Sequence, residues 1–195
     1  MSSRLSDLIV LPIEASPAAD DPGNRRVKLE QEVTALFDRF RGPLLRYLWS
    51  CGLTLPDGEE VLQEVFLSLF RHLDRGRSLD NVRGWLFRVA HNLALRQRQR
   101  RQRDTAASAG AGIGESAVDP APSPEDRMAT SQTQRRLVSV VEALPEQDRY
   151  CLFLRADGLT YREIAEILGM SLGAVSLSLA RSLARIARSA ESSGL

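Results

Sequence analysis

The stretch LTYREIAEILGMSLGAVSLSLARSLARI, residues 159–186, decides the fold of the C-terminal part of the chain. Thr160 followed by Glu163 is a capping-box pattern and predicts the start of a short helix. Gly169 suits the left-handed position after the end of that helix, and Ser171 is a good N-cap for a second, longer helix. A short helix, a tight turn and a longer capped helix are typical of a helix-turn-helix.

Two further helices are predicted on the N-terminal side of this motif. Apolar residues recur at helical spacing before Pro145, and a second helix follows this proline and ends at Gly158. Before them, residues 104–130 are rich in Ala, Gly, Ser and Pro, which predicts a flexible linker. Residues 131–190 are therefore predicted to form a C-terminal helical domain.

Residues 28–103 predict an N-terminal domain of three helices. We expect the first helix to kink or restart at Pro43. The second is predicted to start at Asp57 as N-cap, with Glu60 as its capping-box partner. The third is expected over 81–103, apolar on one side in its first half and almost purely Arg and Gln in its second half.

Composition agrees with an all-α fold of two small helical domains joined by a flexible linker. The chain has 195 residues and 43% hydrophobic residues, enough for two domains of about 70 residues each. Residues 1–27 lack a sustained period and predict a mobile extension. No run of about 20 apolar residues exists, so we expect no membrane insertion, and without a secretory pattern we expect a cytoplasmic protein.

The distribution of charge points to nucleic acid, although the net charge is only +1. Seven arginines and no acid lie between residues 82 and 103. Arginine suits phosphate and base-edge contacts through its planar fork of donors, although arginine dominance is also typical of a GC-rich genome. Cys51 and Cys151 have no ligand-like spacing and are expected to be buried free thiols.

The patterns of an enzyme are missing from the sequence. No carboxylate pair, Cys/His arrangement or metal-ligand spacing stands out, so we expect no catalytic residue, no cofactor and no metal. Gly110, Gly112 and Gly114 lie in the predicted linker without a preceding strand, so they do not form a nucleotide-binding loop.

Two segments of the chain resemble one known family. Residues 144–186, LPEQDRYCLFLRADGLTYREIAEILGMSLGAVSLSLARSLARI, resemble the C-terminal promoter-binding domain of sigma-70-family factors. DGEEVLQEVFLSLFRHL, residues 57–73, and VRGWLFRVAHNLALRQRQRRQR, residues 82–103, resemble their N-terminal domain. The lack of a recognisable domain between them matches the extracytoplasmic-function (ECF) subgroup.

The resemblance implies a transcription initiation factor with several partners. Such a factor binds the β′ clamp helices and the β flap of core RNA polymerase and directs the enzyme to promoter DNA. An anti-sigma factor is the expected inhibitor, and the free chain is expected to be a monomer.

The resemblance also assigns roles to residues of this chain. Those implied in docking on core polymerase are Asp57, Glu59, Glu60, Gln63, Glu64 and Phe66. Those implied in binding the −10 element and the upstream duplex are Arg75, Arg77, Asn81, Arg83, Trp85, Arg88, Asn92, Arg96, Arg98, Arg100 and Arg101. Those implied in binding the −35 element are Arg162, Ser171, Ser176, Leu177, Arg181 and Arg185. For Trp85, its spacing with Leu86 and Val89 favours a core role over a stacking role.

The last helix departs from the family pattern. Many members carry a basic or polar trio after the position of Val175, whereas this chain has Ser176, Leu177 and Ser178. An outward Leu177 could touch a thymine methyl group or bury against a protein, so weak or unusual −35 recognition is expected. Two alternatives stay open: a helix-turn-helix regulator that acts without polymerase, and a sigma-like protein-interaction module.

Overall fold

A computed structural model describes residues 22–109 and 132–191, and within these ranges every regular element is an α-helix. The helices are α1 (Pro22–Ser50), α2 (Leu55–Asp74), α3 (Val82–Ala109), α4 (Gln132–Glu142), α5 (Glu146–Ala156), α6 (Tyr161–Leu168) and α7 (Leu172–Glu191). We call α1–α3 the N-terminal domain and α4–α7 the C-terminal domain.

The N-terminal domain packs α1 and α3 against α2 through apolar residues three and four positions apart. Leu44 and Leu48 of α1, Leu69 of α2, and Leu86 and Phe87 of α3 are all fully buried. Burying a side chain of this size stabilises the fold by roughly 1.5–3 kcal/mol relative to leaving it in water. This packing fixes the direction of α3, which carries the arginine cluster.

The first helix is longer than predicted and does not restart at Pro43. It begins at Pro22, inside the segment expected to be a mobile extension, and continues through Pro43 to Ser50 without a restart. Proline inside a helix costs about 3 kcal/mol. The buried residues Leu44, Tyr47 and Leu48 follow directly, and their packing holds the helix together across the proline.

Two other helix boundaries differ from the prediction. The N-cap of α2 is Thr54, whose side chain accepts a hydrogen bond from the backbone N–H of Asp57, so the predicted Asp57–Glu60 capping box is wrong. The Thr54-x-x-Asp57 pattern is itself a Ser/Thr-x-x-acid signature, placed three residues earlier. At the other end of the domain, α3 continues to Ala109, into the segment predicted as linker.

The helix-turn-helix of α6 and α7 is confirmed with its predicted turn chemistry. Thr160 and Glu163 form the reciprocal capping box, and Gly169 adopts the left-handed conformation with φ 64°. The hydroxyl of Ser171 accepts a hydrogen bond of 3.2 Å from the backbone N–H of Ala174. This cap holds the first turn of α7, and the full burial of Val175 just beyond it anchors the helix in the core.

The two domains pack against each other and share one buried cluster. At its centre the hydroxyl of Tyr47 lies 2.9 Å from Nδ1 of His91, and the ring of Tyr150 lies 5.5 Å from that imidazole. Cys51 and Cys151 are buried free thiols, as expected, and burial raises the pKa of Cys51 to about 12.

Among the described residues, no single helix is both long and apolar enough to cross a bilayer. The pair α6 and α7 reaches the required length and composition only when taken together, across a bend of 104°.

Candidate nucleic-acid and polymerase interface

The start of α3 is built around Asn81. Its side-chain oxygen accepts a hydrogen bond of 2.9 Å from the backbone N–H of Gly84, which is the contact of an N-cap. A Cβ atom at position 84 would lie 2.6 Å from the amide nitrogen of Asn81, so Gly84 leaves the space that this side chain occupies. Gly84 was not predicted from the sequence, in which the spacing Asn-x-x-Gly is the signal for this cap.

Eight of the predicted −10 and upstream residues are exposed to solvent. Three of them, Asn81, Arg88 and Arg101, also form the contacts described below, and the other five are Arg75, Arg77, Asn92, Arg96 and Arg100. Arg75 and Arg77 flank Gly76, which has φ 72° and forms the turn after α2. Arg96 and Arg100 lie one helical turn apart, so their guanidinium groups can follow successive phosphates along a strand.

Trp85 is only partly buried. Its ring lies 5.5 Å from the ring of His72, at an angle of 50°, and it packs against the shared cluster. This placement agrees with a mainly structural role and leaves part of the indole accessible to an unpaired base.

Four other predicted −10 residues face the C-terminal domain. Asn81 donates a hydrogen bond to Glu163, and Arg88 pairs with Glu166 at 2.8 Å. Arg98 pairs with Glu146. Arg83 is half-buried.

Arg83 lies against the turn before α6. A Cβ atom at position 158 would lie 2.8 Å from one of its guanidinium nitrogens, so Gly158, with φ 85°, makes room for it. The pKa of Glu163 is lowered, first by hydrogen bonds from Thr160, then also by Asn81 and the charge of Arg83. The carboxylate that faces the start of α3 is therefore held in its charged form.

Arg101 and Asp57 pair within the N-terminal domain. Arg101 forms an ion pair with Asp57 and donates a hydrogen bond of 3.3 Å to the hydroxyl of Thr54. Asp57 is 8% exposed, so its carboxylate supports the start of α2 in this structure.

The outer face of α2 presents most of the predicted polymerase-docking residues. Glu60, Gln63 and Glu64 are exposed, and Glu59 pairs with Arg41 at 3.2 Å. Phe66 is buried, and its ring packs edge-on against Phe37 at 5.0 Å. Phe66 is therefore a core residue beneath the predicted docking face.

The first turns of α7 present a face without charge. Ser171, Ser176 and Leu177 are exposed, with 57% of Leu177 accessible. Ser178, the third residue of the trio after Val175, is buried. Arg162, on α6, is exposed.

The arginines further along α7 are bound to α5 and to the loop before it. Two nitrogens of Arg181 donate hydrogen bonds of 2.7 and 3.1 Å to the buried carboxylate of Asp148. The hydrogen bonds from Arg181 hold the pKa of Asp148 below its usual value. Arg185 donates to the carbonyl oxygen of Ala143 at 3.4 Å. The sequence analysis missed Asp148, because an acid in the first turn of a helix has an ordinary explanation in the helix dipole.

Comparison with known proteins agrees with this geometry. The family model for sigma-70 region 2 matches residues 36–104, and the model for sigma-70 region 4 matches residues 134–186. The ECF RNA polymerase sigma-E factor of Escherichia coli strain K12 is 31% identical over 130 residues, which cover 62% of this chain and 68% of that protein. The ECF sigma factor BldN of Streptomyces coelicolor is 25% identical over 185 residues, covering 88% and 68%.

Solved structures show the same fold. The sigma factor RpoE in complex with the anti-sigma factor NepR from Bartonella quintana has a TM-score of 0.61 and 21% identity, covering 84% of this chain and 97% of RpoE. CnrH in complex with the cytosolic domain of CnrY has a TM-score of 0.55 and 21% identity, covering 88% and 95%. The chain therefore belongs to the sigma-70 family of RNA polymerase sigma factors, in its ECF subgroup.

Proposed function

We propose that this chain, which as a sigma factor directs RNA polymerase to promoters, docks on the core enzyme through α2 and contacts promoter DNA through α3 and α7. One observation supports this division most strongly. Glu60 and Glu64 of α2 lie beside Arg96 and Arg100 of α3 around one shallow depression. The acidic side repels phosphates and suits a basic protein surface, whereas the arginine side suits DNA.

The −10 element is proposed to bind along the turn after α2 and the length of α3. A melted strand needs cations for its phosphates and surfaces on which unpaired bases can stack. Arg75, Arg77, Arg96 and Arg100 supply exposed cations, and Trp85 supplies a partly accessible ring. The phosphate contacts would be largely independent of sequence and sensitive to salt.

The −35 element is proposed to receive the N-terminal turns of α7. The major groove admits one helix, and the capped N-terminus at Ser171 leaves backbone N–H groups free to hold a phosphate. Leu177 is the exposed side chain placed to meet a base edge. Recognition there would depend on shape and methyl contacts more than on charge.

The docking face is tested by co-elution with purified core RNA polymerase in size exclusion. The double variant Gln63→Ala/Glu64→Arg should lose co-elution, because it removes one polar contact and reverses one charge on the exposed face of α2. Glu142→Arg, at an exposed acid of α4, is the matched control and should still co-elute. A wild-type chain that binds duplex DNA selectively but never co-elutes would contradict the proposal and favour a regulator acting without polymerase.

We also propose an anti-sigma partner, a cytoplasmic location, a monomeric free chain and no enzymatic activity. The partner is supported by the resemblance in fold to RpoE, which was solved with the anti-sigma factor NepR. Co-purification of the tagged chain from its native host, followed by mass spectrometry, tests it; the proposal expects a stoichiometric partner that dissociates when core polymerase binds.

A further inference from the structure

The first turns of α1 have no role in the proposed function. The family model for region 2 begins at residue 36, whereas α1 begins at Pro22. Residues 22–35 therefore form about four helical turns outside that model, and we call them the leading turns. On the basis of the proposed function, on which this inference rests, we propose that Arg25 of the leading turns binds a backbone phosphate of the melted DNA strand at the downstream edge of the −10 element.

The leading turns lie beside the turn that follows α2. A short connection joins α1 to α2, so the two helices run in opposite directions and α1 starts where α2 ends. Leu29 of α1 and Leu73 of α2 line one depression of about 240 Å³. A Cβ atom at position 76 would lie 3.5 Å from Nη2 of Arg25. The guanidinium group of Arg25 therefore lies directly beside the turn at Gly76.

Three exposed arginines meet at this turn. Arg75 and Arg77 flank Gly76, and Arg25 approaches it from α1. In the part of the chain that the structure describes, no acid pairs with Arg25, whereas the neighbouring Arg26 pairs with the glutamate four positions on at 3.2 Å. The donors of Arg25 are therefore available to an acceptor from outside the chain, and a guanidinium fork suits a phosphate.

The surface next to Arg25 suits a nucleotide of a single strand. Such a strand needs a cation for its phosphate and an apolar surface for its unpaired base. Leu29 and Leu73 are partly buried and offer an apolar surface within the depression. Glu32 lines the same depression and would repel a phosphate there. The phosphate is therefore placed at Arg25, beside Gly76, and the base over the leucines.

Helix lengths indicate which part of the strand reaches Arg25. From Arg25 to its end α1 is about 38 Å long, against about 30 Å for α2, so the leading turns extend beyond the end of α2. In the opposite direction, Arg96 and Arg100 lie about 21 and 27 Å from the start of α3. Under the proposed function these two arginines hold the upstream DNA and the turn holds the −10 strand. Arg25 then meets the nucleotides that follow downstream.

The main test is the variant Arg25→Gln, which removes the charge and keeps a polar side chain. Binding of the full-length chain to a labelled 20-nucleotide single strand of mixed sequence is measured by fluorescence anisotropy at four salt concentrations. We expect about two- to fivefold weaker binding. The slope of log affinity against log salt should shrink by about 0.7, the value for one phosphate of a single strand.

Arg26→Gln is the matched control. It removes the same charge one position along the helix, from an exposed arginine that already has an ion pair, and should change the slope less. Arg25→Lys keeps the charge and should retain the slope of wild type. If Arg25→Gln binds like Arg26→Gln, or if Arg25→Lys loses the slope as Arg25→Gln does, Arg25 does not bind a phosphate and the inference is wrong.

The variant Arg75→Gln separates this inference from the proposed function. A smaller slope in Arg75→Gln with an unchanged slope in Arg25→Gln would refute the site on α1 and leave the proposed −10 surface standing. Unchanged slopes in both variants would refute both. A smaller slope in Arg25→Gln alone would keep the site on α1 and remove the turn from the −10 surface.

Cross-linking tests the position of the site on the strand. Cys51 and Cys151 are buried, so a photoreactive maleimide can be attached selectively at Arg25→Cys or at Gln99→Cys, both at exposed positions. The labelled chains are bound to core RNA polymerase and to a promoter selected by the wild-type complex from random sequences. Cross-links from position 25 should lie downstream of those from position 99. Cross-links from position 99 alone, or cross-links from position 25 on the upstream side, would overturn the inference.

Discussion

The helices α3 and α7 contrast as proposed DNA-binding surfaces. In α3, five arginines lie between residues 96 and 103, and Arg88 and Arg98 pair with glutamates of the C-terminal domain. The first turns of α7 carry no charge, and the next arginine, Arg181, is bound to Asp148. Under the proposed function, we therefore expect phosphate contacts by cations to supply affinity through α3, and shape and apolar contacts to supply selectivity through α7.

The largest expected effect on DNA affinity comes from removing exposed arginines of α3. Arg96→Ala/Arg100→Ala should weaken polymerase-bound affinity for a promoter duplex by about 10- to 100-fold, because two phosphate contacts are lost. The slope of log affinity against log salt should fall by about 2, since each neutralised phosphate contributes about 0.9. Titrations at four salt concentrations measure it. Arg39→Ala is the control, and an unchanged slope would exclude phosphate contacts at these positions.

A second substitution should give α7 a free positive charge, as α3 has. Asp148→Asn removes the negative charge and one of the two acceptor oxygens that bind Arg181, so the loosened guanidinium should raise the salt dependence of binding to a −35 duplex. The same change should lower the Tm of the protein, because Asp148 is 2% exposed and bridges α5 and α7. Duplex titration and thermal unfolding measure the two effects; a lower Tm with an unchanged salt slope would show that Arg181 does not reach DNA.

The depressed pKa of Asp148 also has a pH consequence. A carboxyl group whose folded-state pKa lies below its unfolded value stabilises the fold above that unfolded value, near pH 4, and the contribution is lost as pH falls through the folded pKa. Wild type should therefore lose more stability than Asp148→Asn between pH 5 and about pH 2 in urea unfolding. If the free energy of unfolding falls equally with pH in the two proteins, Asp148 does not cause the loss of stability.

A smaller effect on DNA affinity is expected from the apolar surface of α7. If Leu177 contacts a thymine methyl, replacing that thymine by deoxyuridine should cost wild type about 0.8 kcal/mol, roughly fourfold in affinity. Leu177→Ala should make the same replacement neutral. The four affinities form a double-mutant cycle, and Leu183→Ala, at a leucine 59% exposed on the same helix, is the control. Zero coupling at every thymine of the element would exclude the contact.

The smallest predicted effect concerns His91. Burial lowers the pKa of His91 below its usual value, so the folded chain binds fewer protons at this imidazole than the unfolded chain does. Such a histidine destabilises the fold as pH falls through its unfolded pKa of about 6.5. The free energy of unfolding in urea should therefore decrease more for wild type than for His91→Gln between pH 7.5 and pH 5.5. Equal decreases in the two proteins would show that other groups cause the pH dependence.

Local turn chemistry was predictable from sequence because it depends on a few neighbouring residues. The capping box of Thr160 and Glu163 and the left-handed Gly169 are confirmed. The start of α2 was wrong by a few residues because two overlapping patterns, one at Thr54 and one at Asp57, both satisfy the capping rule. Pro43 was given too much weight, since tertiary packing held α1 together across it.

The packing between the two domains was not predictable in detail. Glu166 lies 78 positions from Arg88, and Asp157 lies 111 positions from Arg46, and no local sequence periodicity indicates such pairings. The burial of Ser178, the third residue of the trio after Val175, also depends on a neighbouring helix, α5. A helical wheel shows which residues share a face, but the neighbouring helix decides which face meets solvent.

The unbroken length of α3 has a geometric consequence for the whole molecule. Its 28 residues span about 42 Å, and the connection to the C-terminal domain departs from the far end. One residue inserted in the distal turns would swing that exit point by about 100° and advance it by about 1.5 Å. One residue inserted after the helix would only lengthen the connection. Under the proposed function, we therefore expect the spacing between promoter elements that the protein accepts to depend on the direction of α3 as well as on the length of the connection.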